Sequence, residues 1–168
     1  NGQNYRPAYR SGKADIKILL ESSLIQFPFV QKKRQGGFDG RGVKIVRSEE
    51  DLQDLLEGPC IVEAIAQIVT EISVIVCRDA LGRQVVYEPV SMDFHPEGNM
   101  VEFLVCPADL PPDFALQAKA IALSLSAKLE HVGLLAVEMF WNKDSSIWIN
   151  EIALRPHNSG HHTLDDGS

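Results

Sequence analysis

No stretch of this 168-residue chain approaches the roughly 20 consecutive apolar residues of a membrane-spanning helix. The opening segment NGQNYRPAYR also lacks the apolar core of a signal peptide. Cysteine is scarce. Cys60, Cys77 and Cys106 are far apart, match no metal-ligand spacing and each sits among apolar residues. They are expected to be buried free thiols, which suits a reducing cytoplasm. Basic residues are in deficit, with 16 Lys and Arg against 23 Asp and Glu and a net charge of −7. That excludes non-specific nucleic-acid binding, which needs a cationic surplus to neutralise phosphates, but it leaves room for a local phosphate site. There is no internal repeat and no low-complexity stretch. What remains is ordinary globular composition, 45% apolar and 23% charged, enough for one domain or two small subdomains with a proper core.

Residues 13–21, KADIKILLE, suit a short helix. FPFVQKK (27–33) and VKIV (43–46) read as the two arms of a hairpin with an enlarged, glycine-rich tip. Ser48 followed by Asp51 is an approximate capping box for a helix through EEDLQDLLE, with Leu52, Leu55 and Leu56 as its apolar stripe. Gly58-Pro59 stops that helix. From residue 60 the texture changes to successive β runs: CIVEAIA, EISVIVCR, QVVYEPV and MVEFLVC, separated by the turn signals DALGR and HPEGN. Residues 113–130 read as one long helix, with Leu116, Ala120, Leu123 and Ala127 on one face and Ile121 and Leu125 beside them. GLLAVEMFWN and SIWINE close the pattern as a hairpin. The order predicts an α+β fold with mainly antiparallel sheet rather than an alternating βαβ fold. A boundary after residue 62 divides it into a smaller part, 1–62, and a larger part, 63–168.

Three stretches carry chemistry. The first is QKKRQGGFDGRGVK, residues 31–44. Glycines free the backbone and remove side chains, so successive N–H groups can point at one anion. Lys32, Lys33, Arg34, Arg41, Lys44 and Arg47 are six of the sixteen basic residues, within sixteen positions. Backbone donors among cations suit a polyphosphate. A hairpin tip with solvated charges fits the loop alone equally well.

The second is the final hairpin. With a four-residue turn, Lys143 to Ser146, Asn142 faces Ile147, Trp141 faces Trp148, Phe140 faces Ile149 and Glu138 faces Glu151. Alternation then puts both glutamates with Phe140 and Ile149 on one face and both tryptophans on the other. Carboxylates directly opposite each other repel. A hard divalent cation such as Mg²⁺ resolves the repulsion, and Asn150 could add an amide oxygen. Two solvated glutamates, or a carboxylate pair sharing a proton, are the alternatives. The third is LRPHNSGHH (154–162). Arg155 offers a fork for carboxylate, carbonate or phosphate. His157, His161 and His162 can titrate or donate, and a transition-metal site or an ordinary exposed loop is the alternative.

Together, QGGFDGRG, VEAIAQIVTEISVIV, GLLAVEMF and NEIALRPHNSGHHT resemble the ATP-grasp enzymes, and among them the 5-(carboxyamino)imidazole ribonucleotide synthases. The resemblance runs from about residue 27 to the end. It implies two subdomains with mainly antiparallel sheets and a nucleotide site between them. It implies that Lys32 contacts the ATP phosphates and that the loop Gly36, Gly37, Phe38, Asp39, Gly40, Arg41, Gly42 closes over them. Glu63, Ala64, Ile65 and Ala66 would line the adenine, Glu71 the ribose, and His95 the nucleotide side. Glu138 and Glu151 would hold Mg²⁺, with Asn150 beside them on the nucleotide. Arg155, His157, Asn158 and Ser159 would face bicarbonate and carboxyphosphate. The implied reaction is ATP-dependent carboxylation of 5-aminoimidazole ribonucleotide with bicarbonate, in purine biosynthesis, by a cytoplasmic, homodimeric full-length enzyme with no nucleic-acid or membrane partner. Another ATP-grasp carboxylate-amine ligase, or a nucleotide-binding module without turnover of its own, is the alternative. The chain departs from the family's usual residues at Phe38, Val43 and Leu154, where Tyr, Gln and Pro are expected. It reads as a fragment without the family's amino-terminal domain and carboxy-terminal segment. If the glycine-rich loop is a lid, residues 35–42 are mobile without nucleotide.

Overall fold

The computed structural model describes residues 8–9, 13–35, 42–94 and 101–165. They form two compact units, one reaching to Ala66 and one starting at Gln67, a few residues beyond the division read from the sequence. Among the described residues every strand pairing is antiparallel, so the α+β expectation holds.

The first unit is a four-stranded sheet in the order β1 (Ala8–Tyr9), β4 (Cys60–Ala64), β2 (Phe29–Lys33), β3 (Val43–Val46). The β2–β3 hairpin pairs Phe29 with Val46 and Lys32 with Val43, as its alternating pattern predicts. One face carries Phe29, Val46 and Val62 onto Ile16 of helix α1 (Lys13–Glu21), with Leu52 and Leu55 packed against them. Gln31 is fully buried on the same side, and both ends of its amide are used. Its Nε2 donates to the Leu56 carbonyl at 3.0 Å and its Oε1 accepts from Leu56 N at 2.8 Å. A buried amide left unpaired there would cost about 1–3 kcal/mol. The segment after Ser48 is a 3-10 helix, Glu49–Asp54, rather than the expected α-helix. Ser48 makes no side-chain cap. Asp51 instead accepts from Arg47 N at 2.7 Å, because its short carboxylate reaches the backbone one residue earlier.

The second unit is a six-stranded sheet. Its order is β10 (Ile147–Ala153), β9 (Gly133–Asn142), β5 (Ile68–Arg78), β7 (Val90–Phe94), β8 (Val101–Val105), with β6 (Gln84–Val86) also on β5. Helix α2 (Pro112–Leu129) covers one face, where Ile72, Val74, Val76, Leu135, Val137 and Met139 are buried. The helix buries Ala118, Ala122 and Ser126, whereas Leu116 of the expected face is 62% exposed. Small residues four apart let helix and sheet approach closely, so shape outweighed side-chain size in setting the buried face. Phe114 completes the contact against Trp141, ring centroids 4.8 Å apart. No disulfide joins the cysteines, and only Cys60 is buried; Cys77 is half-buried and Cys106 exposed. Both lie at strand ends, where an apolar neighbourhood in sequence no longer means a covered one.

Candidate active site

In the first unit, Lys32 and Glu63 project from the sheet face opposite the core. Lys32 pairs in register with Ile61, so Glu63 is its diagonal neighbour on the same face. Their charged atoms meet at 2.8 Å, both side chains about three-quarters covered. Glu63, Ala64 and Ile65 border a pocket of about 380 Å³ whose other wall runs from Ser23 to Phe29. Leu24, Ile25 and Phe27 of that wall were not singled out in the sequence; the apolar run LIQF before FP is the signal that could have found them. Gly42, at φ 100°, accepts from Lys33 N at 2.8 Å and so closes the foot of the glycine-rich loop. Residues 36–41 and His95 lie outside the described residues, and with them the expected lid and its mobility.

In the second unit, three strands line up the chemistry. Ser73 of β5 sits opposite Glu138 of β9, which sits opposite Glu151 of β10. Glu71 lies two residues along β5 on the same face. The facing glutamates are as expected, but the route to them is different. The turn has three residues, Lys143 to Ser145, with Asn142 N donating to the Ser146 carbonyl at 2.9 Å and Ser145 at φ 65°. Asp144 fastens it by accepting from Ser146 N and Oγ. The pairing is therefore shifted by one: Ile147 faces Trp141, Trp148 faces Phe140 and Ile149 faces Met139. A bulge at Asn150 restores the register, and Glu151 faces Glu138. Only Trp141 turns to the helix side; Trp148 shares the glutamate face.

The electrostatics of this face are strained by like charge. Burial, then Glu151, then Glu71 push the Glu138 carboxyl up to about 7, against a hydrogen bond from Asn150 and the charge of Arg155. His157 Nε2 lies 3.2 Å from Glu138 Oε1. Burial, then Arg155, hold the imidazole below its ordinary value, with Glu151 opposing and His161 adding to the effect. Both shifts favour the uncharged forms, so this contact is a hydrogen bond involving a neutral ring rather than an ion pair. His157 Nδ1 in turn lies 2.9 Å from Ser159 Oγ, and Ser159 Oγ lies 2.8 Å from Ser73 Oγ. Ser159 is fully buried, with His157 and Ser73 as its side-chain partners; Asn158 is exposed and accepts from Ser159 N at 3.0 Å. Arg155 is exposed, with Nη1 donating to the Pro156 carbonyl. The fold thus brings Glu71, Glu138, Asn150, Glu151, Arg155 and His157 together. Ser73 was missed; a single hydroxyl within ISVIV was its only mark.

Oxygens of Glu138 and Glu151 and a ring nitrogen of His157 all lie within 4.8 Å of one another. Two carboxylates that repel, one of them driven to keep a proton, fit a hard divalent cation, whose charge would remove that need.

The ATP-grasp domain family matches residues 7–168. The chain belongs to the ATP-grasp family. Among similar ATP-grasp proteins is the N5-carboxyaminoimidazole ribonucleotide synthase of Mycobacterium tuberculosis, 35% identical over 166 residues, covering 95% of this chain and 38% of that protein. The N5-carboxyaminoimidazole ribonucleotide synthetase of Thermotoga maritima superposes with a TM-score of 0.79 at 34% identity, over 96% of this chain and 40% of the other. The Aspergillus clavatus N5-carboxyaminoimidazole synthase, in complex with ADP and 5-aminoimidazole ribonucleotide, superposes with a TM-score of 0.77 at 26% identity, over 96% and 42%. The chain spans about two fifths of the length of these relatives. Among the described residues, no helix is long and apolar enough to cross a membrane.

Proposed function

We propose that this chain supplies the ATP- and bicarbonate-binding part of an enzyme that carboxylates 5-aminoimidazole ribonucleotide in purine biosynthesis. The observation that carries this is the row Glu138–Glu151 with Asn150, Arg155 and His157 around it, in an ATP-grasp chain similar to synthases of that name. Lys32, held by Glu63, contacts the ATP phosphates, and the loop Gly36–Gly42 closes over them. Glu63 to Ala66 line the adenine, Glu71 holds the ribose hydroxyls and His95 lies on the nucleotide side. Glu138 and Glu151 hold Mg²⁺, which when bound neutralises charge on the phosphate oxygens. Arg155 holds bicarbonate beside the Glu138–His157 contact; a bicarbonate oxygen attacks the γ-phosphorus, ADP leaves and carboxyphosphate forms. Carboxyphosphate passes its carboxyl group to the amine of the ribonucleotide and releases phosphate. Excluding water at this step protects the intermediate. A cytoplasmic location and a homodimeric full-length enzyme belong to the same proposal.

The test is Glu151→Gln in the full-length parent protein. Bicarbonate-dependent ATP hydrolysis with Mg²⁺ is expected to collapse; a wild-type rate would overturn the cation assignment. Measuring ADP release with 5-aminoimidazole ribonucleotide against other amines tests the acceptor. Equal stimulation by an unrelated amine would point to a different ATP-grasp ligase.

A further inference from the structure

Three ligand-type side chains converge on this site, and by distance alone His157 is as well placed as either glutamate to bind a cation. The hydrogen bonds behind it decide otherwise. Ser159 N donates to His157 Nδ1 at 3.3 Å, a bond it shares with Asn158 Oδ1. A backbone N–H can only donate, so Nδ1 presents a lone pair there. Nδ1 therefore also accepts from the Ser159 hydroxyl, 2.9 Å away. That hydroxyl has one proton and has spent it, so toward Ser73 Oγ at 2.8 Å it accepts. Every donor in the chain then points the same way: Ser73 to Ser159, Ser159 to His157 Nδ1, and His157 Nε2–H to Glu138 Oε1 at 3.2 Å.

We propose that Ser73 and Ser159 are positioning residues that lock His157 as the Nε2–H tautomer, so that the ring donates to Glu138 and holds its carboxylate instead of serving as a cation ligand. The location supports a dedicated role. Ser73 is 1% exposed in the middle of an apolar strand and Ser159 is fully buried, 86 residues away in sequence. A buried hydroxyl costs stability unless it is bonded, and the partners found here are each other and the imidazole. Gly160 follows Ser159 and lies so close to Ile75 that an added Cβ would stand 2.7 Å from Ile75 Cδ1, which keeps the segment tight on β5. A protonated Nε2 has no lone pair for a metal, so the site presents oxygen donors without an imidazole nitrogen. That deepens the Mg²⁺ reading above, on which its functional consequence rests: a donor set of oxygens suits a hard cation, whereas an added imidazole would suit zinc. Orienting partners of this kind govern cation affinity without touching the ion.

Long-range ¹H–¹⁵N spectra of His157, recorded on the wild-type chain without metal at mildly alkaline pH, test the tautomer directly. A protonated Nε2 and a bare Nδ1 are expected; a bare Nε2 or a doubly protonated ring overturns the proposal. The relay is tested by Ser73→Ala in two backgrounds, with Mg²⁺ affinity as the readout. In the wild-type background the affinity is expected to fall about tenfold. In the His157→Gln background it should not fall further, because Ser73 acts through the ring. An equal loss in both backgrounds would show a merely structural serine and overturn the proposal, as would no loss in either. If the wild-type chain binds no Mg²⁺ while the Nε2–H tautomer is present, the cation reading fails and the relay stands.

Discussion

Lys32 and Glu63 reach across two strands of the first unit with opposite charges; Glu138 and Glu151 face each other across two strands of the second with the same charge. The first pair satisfies itself. Its charged atoms meet at 2.8 Å, ammonium against carboxylate. The second pair does not. Glu138 is pushed up to about 7 by burial and by its acidic neighbours, so without a third party it competes for a proton. The difference teaches where an ion belongs. A cross-strand pair of opposite sign balances itself and holds a cationic side chain in place, whereas a pair of like sign leaves a charge for a proton or a cation to balance.

The largest effect should come from breaking the like-charged pair under turnover. Glu138→Ala in the full-length parent is expected to lower Mg²⁺-dependent ATP hydrolysis by about a hundredfold or more, since several kcal/mol of charge stabilisation go with the cation. Steady-state kinetics checks this, and a loss below about fivefold would remove Glu138 from the cation site.

Next is stability without metal. A carboxyl raised in the folded state binds more protons than the unfolded chain, so it lowers stability as pH rises from the ordinary glutamate range through about 7. Glu138→Gln has no such loss. It should be more stable than the wild type at alkaline pH, by up to about 3 kcal/mol, with the gap closing toward acid pH. Denaturant melts at several pH values measure it; a gap independent of pH would contradict it. Mg²⁺ at neutral pH should raise the melting temperature of the wild type and leave that of Glu138→Gln unchanged, as thermal melts with and without the cation would show.

The smallest effect is expected from the opposite-charged pair. Glu63→Gln should cost no more than about 1 kcal/mol, as for most partly solvated ion pairs. Its Mg²⁺ response in the melt should match the wild type. If it lost that response, the two pairs would not be the independent devices described above.

Much of this was legible in the residues. The β2–β3 hairpin, α1, α2 and the β9–β10 hairpin follow from apolar period and turn chemistry, within a residue or two of their observed ends. The facing of Glu138 and Glu151 was legible too, though by two departures that cancel. A turn one residue shorter than expected shifted the register, and the bulge at Asn150 shifted it back. Turn length and bulge both depend on side chains bonding locally, as Asp144 does to Ser146, and hydrophobic alternation does not encode them. On α2 the apolar period places Ile121, Leu123 and Leu125 against the core correctly, but the fully buried line is Ala118, Ala122 and Ser126 and Leu116 is exposed, because the closest approach to the sheet admits only small side chains.

The sequence by itself determined the order and type of the elements, the antiparallel architecture and the residue types at the site, because these rest on local period, turn propensity and charge. Only the tertiary structure decided which hydroxyl stands behind which histidine. Ser73 and Ser159 meet across 86 residues, through the packing of the 157–163 segment on β5, and no local rule connects them. The tertiary structure also raised the Glu138 carboxyl. Burial and the approach of Glu71 and Glu151 set the field at Glu138, and both depend on distances that exist only once the three strands are side by side.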